Sequence, residues 1–216
     1  MALYLPGTVK IKIMKPWDEL ADETSIKKTV DSLTAAGIDV LVVDNGAAAK
    51  AKVLEMLPKG AEVMNMSSVT LETLGLVKEI NESGNYDSVK NKLKQMDRKT
   101  QGVVMQKLGA APEWAVGSVH AVSLDGHILI ASNTGSQLSA NAYSSAHVIW
   151  VVGTQKIVAD LEEARTRVYE YCLPTEDKHM RELYGTGSNV SKLLQISREK
   201  VPHRLTLIFV KEKLGV

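Results

Sequence analysis

His147-Val-Ile-Trp-Val-Val152, running on into Gly153-Thr-Gln-Lys-Ile-Val158, is the stretch that decides the fold. Residues 148–152 are apolar without alternation, and all but Trp150 are β-branched. A run of that kind suits a strand buried on both faces, the situation of a parallel sheet covered by helices. Gly153 to Ala159 reads as the loop leaving its carboxyl end. Asp160 then caps a helix, with Glu163 at the capping-box position and Pro174 beyond its end.

The same grammar extends toward the N-terminus. Ile26, Val30 and Leu33 recur at helical spacing, and Gly37 sits where a helix terminates. Asp39-Val-Leu-Val-Val43 reads as a buried strand, Asn45-Gly46 as a turn, and Ala47 to Leu57 as a helix closed by Pro58. Ala61 to Met66 is a second strand. Ser67, Ser68 or Thr70 can cap a following helix that carries Leu71, Leu74, Val77 and Ile80 and ends before Gly84. Tyr86, Val89, Leu93 and Met96 continue a helical stripe, and the lysines between Lys90 and Lys107 read as its solvated face or a partner surface.

In the second half, Ser118 to Leu124 and His127 to Ala131 are strand-like, with Asp125-Gly126 as a hairpin turn between them. Ser132 to Gly135 is a loop, and Ser136 to Ala146 a helix of mostly tiny residues. Leu205 to Val210 is the last strand, after a polar stretch. Strands alternating with helices predict an α/β fold of three layers around a mostly parallel sheet. The chain reads as one domain, residues 1–216, with residues 1–36 as an N-terminal helical extension.

Composition narrows the function. Of 216 residues, 44% are hydrophobic and 24% charged, and the net charge is +1. Nothing in that balance calls for nucleic acid or an acidic membrane surface. No apolar run nears the roughly 18 residues that a membrane span needs. Met1 to Lys15 carries no signal-peptide cleavage pattern. The lone cysteine, Cys172, fits a reducing compartment, most simply the cytoplasm. It shares a stripe with Leu161, Ala164 and Val168 and is read as a packing residue. No His, Cys or carboxylate cluster has metal-ligand spacing, so neither a metal nor a cofactor is predicted.

Ala131-Ser-Asn-Thr-Gly-Ser-Gln137 leaves one strand and opens a helix. Helix-start N–H groups together with the hydroxyls of Ser132, Thr134 and Ser136 would suit a phosphate or carboxylate. An ordinary capped turn, with small residues for tight packing, fits the same residues. Lys156 leaves the carboxyl end of the strongest strand, where open α/β sheets bind ligands, and could neutralise an anion there. The expected ligand residues are therefore Ser132, Thr134, Gly135, Ser136, Gln137 and Lys156. His120 and Glu199 are the catalytic candidates, with Glu113 and Asp125 as further carboxylates. His120 equally suits a core position, and Glu199 an ion pair with Arg204 that sets the last strand. Ser188, within Tyr184 to Val190, is read as a cap.

Gly117 to Ser123, Ile130 to Gln137, His147 to Val158 with Asp160 to Arg167, and Arg204 to Gly215 together resemble the LUD-domain family of bacterial lactate-utilisation operons. The resemblance spans roughly residues 20 to 216. It implies the fold shared by glucosamine-phosphate deaminases, ribose-phosphate isomerases and CoA transferases. The chain departs from the lactate-operon branch at Leu124 to His127 and at Gln137 to Ala146, and so resembles a shorter side branch. In the lactate systems iron–sulfur partners carry the redox chemistry. The reading preferred on these grounds is an accessory protein that binds a small organic acid or other anionic metabolite and docks to an iron–sulfur protein. The alternatives are an enzyme acting on a phosphosugar or acyl-CoA, and a homo-oligomer packed through the small-residue helix. Whether the chain is catalytic stays open at this point.

Overall fold

The computed structural model describes residues 17–216. Six strands form a large sheet in the order β1-β10-β7-β4-β2-β3, and every pairing in it is parallel. These are β1 (Asp39–Val43), β2 (Glu62–Asn65), β3 (Asp87–Ser88), β4 (Trp114–Gly117), β7 (His147–Gly153) and β10 (Leu205–Val210). Four more form a small sheet, β8-β5-β6-β9: β5 (Ala121–Ser123), β6 (Ile128–Ser132), β8 (Ile157–Val158) and β9 (Lys192–Ile196).

Burial on β7 alternates between two cores, as a pleated strand covered on both faces must. Val148, Trp150 and Val152 join one cluster, with Ile26 and Leu33 of α1 (Glu23–Ala35) and Val122, Ile128 and Ile130 of the small sheet. Ile149 and Val151 join the other, under α2 (Gly46–Met56), α3 (Val69–Thr73) and α4 (Leu76–Glu82). The large sheet is thus the middle of three layers, and the small sheet forms part of one outer layer. Beyond the small sheet, Ala121, Leu129 and Ala131 pack on Ala164 and Val168. α1 belongs to the main core, and Trp17 packs beyond the small sheet; residues 1–16 of the expected N-terminal extension, and with them the leader reading of Met1 to Lys15, lie outside the described residues.

Several elements depart from the sequence reading for identifiable reasons. β1 is an edge strand, so Leu41 and Val42 are 36% and 40% exposed and the strand is not buried. Asn45 is not a turn residue but the cap of α2, accepting from the Ala48 N–H. The helix expected through Leu71 to Ile80 breaks at Gly75, whose φ of +65° a residue with Cβ resists. At the Asp125-Gly126 hairpin only Gly126 takes positive φ. Four strands were hidden: β4, because its first residues follow a proline; β9, because it lies in a polar stretch; and β3 and β8, because two residues each are too short to show a pattern. The lysine segment becomes α5 (Val89–Lys94) and α6 (Arg98–Ala110), and α6 buries none of its residues.

Pro174 does not end the helix begun at Asp160. α7 (Leu161–Arg167) runs through a π-helical turn, Val168–Cys172, into α8 (Leu173–Tyr184), with Pro174 in its first turn. The wider π turn spares the proline ring a clash with the carbonyl four residues back.

Candidate functional site

The site lies at the carboxyl ends of β2, β4 and β7, where an open parallel sheet places its ligands. Two chain segments cross there from the large sheet to the small one. Ser118 to His120 joins β4 to β5, and Thr154–Lys156, a 3-10 turn, joins β7 to β8. Gly153 permits the second crossing, because a Cβ there would stand 2.1 Å from Gln155 Oε1 and 2.6 Å from the Glu212 carbonyl. Gln155 Nε2 donates to the Leu214 carbonyl at 2.9 Å and pins the segment that follows β10.

These crossings leave Lys156 only 3% exposed. Its Nζ donates to the Val119 carbonyl at 3.1 Å and to Ser118 Oγ at 3.2 Å, with Thr70 Oγ1 at 3.5 Å. All three acceptors are neutral. Burial, aided by the nearby charge of Arg167, pushes the Lys156 ammonium down to about 7. Arg167 is fully buried. It donates to the carbonyls of His120 and Trp17, to Cys172 Sγ at 2.9 Å, and lies 5.1 Å from the Tyr171 ring centre. Among the described residues no carboxylate pairs with either base. Burial also lowers Arg167 and raises the Cys172 thiol.

His120 accepts the Ala131 N–H on Nδ1 at 3.1 Å, so its ring proton sits on Nε2. Burial and the charges of Lys156 and Arg167 push its pKa down to about 3. It is therefore a neutral hydrogen-bond donor at physiological pH, not a proton-exchanging base.

Lys156, His120 and Cys172 close one end of a cavity of about 650 Å³. Hydroxyls dominate one wall: Ser67, Ser68, Thr70, Ser118, Ser132 and Thr134. α8 forms another, presenting Leu173, Glu176, Met180 and Leu183 at helical spacing, with His179 beside them. Burial raises the Glu176 carboxyl, His179 opposes that rise, and Glu72 adds to it. Lys90 reaches Ser67 Oγ at 3.3 Å, and burial lowers its ammonium.

Of the residues expected to bind a ligand, Ser132, Thr134, Ser136, Gln137 and Lys156 line this one cavity. Gly135 does not. With φ +84° it turns the loop against Lys192, whose side chain a Cβ would approach to 2.5 Å. The expected helix Ser136 to Ala146 is a short π-helical turn, Ala140–Ser144. The loop N–H groups are spent locally, Gly135 on Ser132 Oγ at 2.9 Å and Ser136 on Thr134 Oγ1 at 3.3 Å. The wall therefore offers hydroxyls, not a helix dipole. Glu199 is not in the cavity but bound to Arg204 at 2.5 Å. Glu113 and Asp125 are absent from its lining too. Ser188 caps no helix; its N–H bonds Asp177 Oδ1.

The profile of the LUD domain matches residues 26–210. The chain belongs to the LUD-domain family. A crystal structure of a DUF162 family protein from Deinococcus radiodurans, at 1.70 Å resolution, matches this LUD domain with TM-score 0.56. Its sequence identity is 13%, and the match covers 89% of this chain and 99% of that one. At that identity the likeness speaks for the fold alone. No curated protein matches at a significant level.

Sequence reasoning missed Thr70, Ser118 and Glu176 as members of the LUD-domain cavity, and Arg167 as the buried charge that acts on Lys156. Ser118 was recoverable: once β4 ends at Gly117, the strand-end rule points to the next residue. Arg167 and Glu176 carried no such signal, because only the path of the helix from α7 to α8 buries the one near Lys156 and brings the other to the cavity.

Proposed function

We propose that this LUD domain binds a small anionic metabolite, with the acid group against Lys156 and the polar body along the hydroxyl wall. One observation carries the reading. Lys156 and Arg167 are both buried and feel each other's charge, with no carboxylate of the described residues on either. Burying unpaired charge costs several kcal/mol, and a ligand carboxylate or phosphate supplies the missing counter-charge. The family setting suggests a small organic acid and a cytoplasmic protein accessory to a redox partner. With one cysteine, this chain cannot ligate an iron–sulfur cluster by itself, so the partner is the proposed carrier. Its proposed contact is α6, which carries Lys99 and Lys107 and leaves Val103 and Val104 65% and 55% exposed.

The test is a thermal-shift panel of hydroxy acids, phosphosugars, CoA thioesters and folates on the wild type, Lys156→Met and Thr134→Val. A ligand at about 100 times its Kd stabilises by roughly 2.7 kcal/mol. The expected outcome is a shift with an acid-bearing compound that Lys156→Met abolishes and Thr134→Val weakens. An equal shift in Lys156→Met would sink the assignment of the site.

A further inference from the structure

We propose that Lys156 is also a nucleophile, whose ε-amine condenses with the carbonyl of a small acid held in the cavity to form an imine. The inference rests on the anion-binding reading and names the ligand class: an aldehyde or ketone that carries a carboxylate, and that reacts in the fraction of complexes where Nζ has given up its proton.

The geometry is that of a reactive amine rather than a structural cation. Lys156 closes one end of a cavity of about 650 Å³ and is 3% exposed. A structural lysine so buried normally meets a carboxylate. This one meets a carbonyl and two hydroxyls. Ser118 Oγ and Thr70 Oγ1 stand 3.2 and 3.5 Å from Nζ and 3.5 Å from each other, a short chain that can move a proton from nitrogen to a departing oxygen. The titratable groups around Lys156 are His120, Arg167 and Cys172 at its own end, with Glu72, Glu176 and His179 on the other walls. Burial and the charge of Arg167 disfavour the ammonium, and Cys172 opposes them in part. With its pKa at about 7, the free amine is well populated at neutral pH, whereas an ordinary lysine keeps only about one part in a thousand.

The step balances without a further reagent. Nζ attacks the carbonyl carbon, the C–N bond forms, and the carbonyl oxygen becomes a hydroxyl. The carbinolamine then loses that hydroxyl as water, and both hydrogens of the water come from the amine. No redox change occurs. Glu176, whose carboxyl is raised by burial, lines the α8 wall of the same cavity and is proposed as a relay, giving its proton to the departing hydroxyl and taking back the second amine proton.

The experiment uses the full chain with glyoxylate and cyanoborohydride at neutral pH, read by intact mass and peptide mapping, with glycolate as the carbonyl-free counterpart. Lys178, 78% exposed, is the internal reference. The expected result is reductive labelling of Lys156 at least roughly tenfold faster than of Lys178, slowed by glycolate. Stabilisation by glycolate with Lys156 labelled no faster than Lys178 would overturn the imine and leave the anion site standing. Fast labelling of Lys156 that glycolate neither slows nor accompanies with a thermal shift would overturn the anion site and keep the nucleophile. Lys156→Arg, which retains the charge, should keep glycolate binding and lose the label.

Discussion

Lys156 is where binding and stability oppose each other. In the unfolded chain its pKa is about 10.4, and in the folded protein about 7. Between those values the unfolded state holds the extra proton, so this residue makes stability rise with pH from about 7 to about 10. Below pH 7 its full cost is present, on the order of 5 kcal/mol at about 1.4 kcal/mol per pH unit. Lys156→Met should therefore raise Tm by several degrees at pH 6 and by less at pH 9, measured by scanning calorimetry. An equal shift at both pH values would mean that the ammonium is not strained. A bound anion restores the charged form, so binding takes up a proton. Affinity for a carboxylate should be flat below about pH 7 and fall up to tenfold per unit above it, read by titration calorimetry. A profile flat to pH 9 would remove Lys156 from the anion site. His120 is neutral throughout this range and contributes no step of its own.

At the scale of elements, the segment before β10 and the π turn at Ala140–Ser144 are held as a unit by Arg204. Its guanidinium bonds Glu199 and donates to the carbonyls of Ala140, Asn141, Ala142 and Ser145. Both side chains are at least nine-tenths buried, 6% and 10% exposed. Arg204→Ala leaves a buried carboxylate and open helix-end carbonyls, and should cost about 3–5 kcal/mol by urea unfolding. Arg204→Lys should recover only part of that, because an ammonium cannot reproduce the fork. A loss under about 1 kcal/mol in the alanine variant would mean that water replaces these contacts. The ion pair was legible in Arg198 to Arg204, since two opposite charges five residues apart beside a strand invite pairing. Its reach to the π turn was not, because those carbonyls lie some sixty residues away in the chain.

Over the whole molecule, the cavity exists because the large and small sheets share two crossing segments, and it should respond as one piece. A ligand that bridges Lys156 and the α8 wall should protect Ser118 to His120, Thr154–Lys156 and α8 together in hydrogen exchange. Protection confined to the Ser132 to Gln137 loop would point to a surface site instead. The sequence by itself determined the layered α/β architecture, because an unalternating run such as 148–152 is stable only when covered on both faces. It also determined that Lys156 leaves a strand end and that Ser132 to Gln137 forms a turn, both set by local chemistry. Tertiary structure alone decided that Lys156 is buried without a carboxylate, that the charge of Arg167 acts on it, and that the loop spends its own N–H groups. Burial and pairing depend on what distant segments bring alongside, and spacing along the chain carries no record of that.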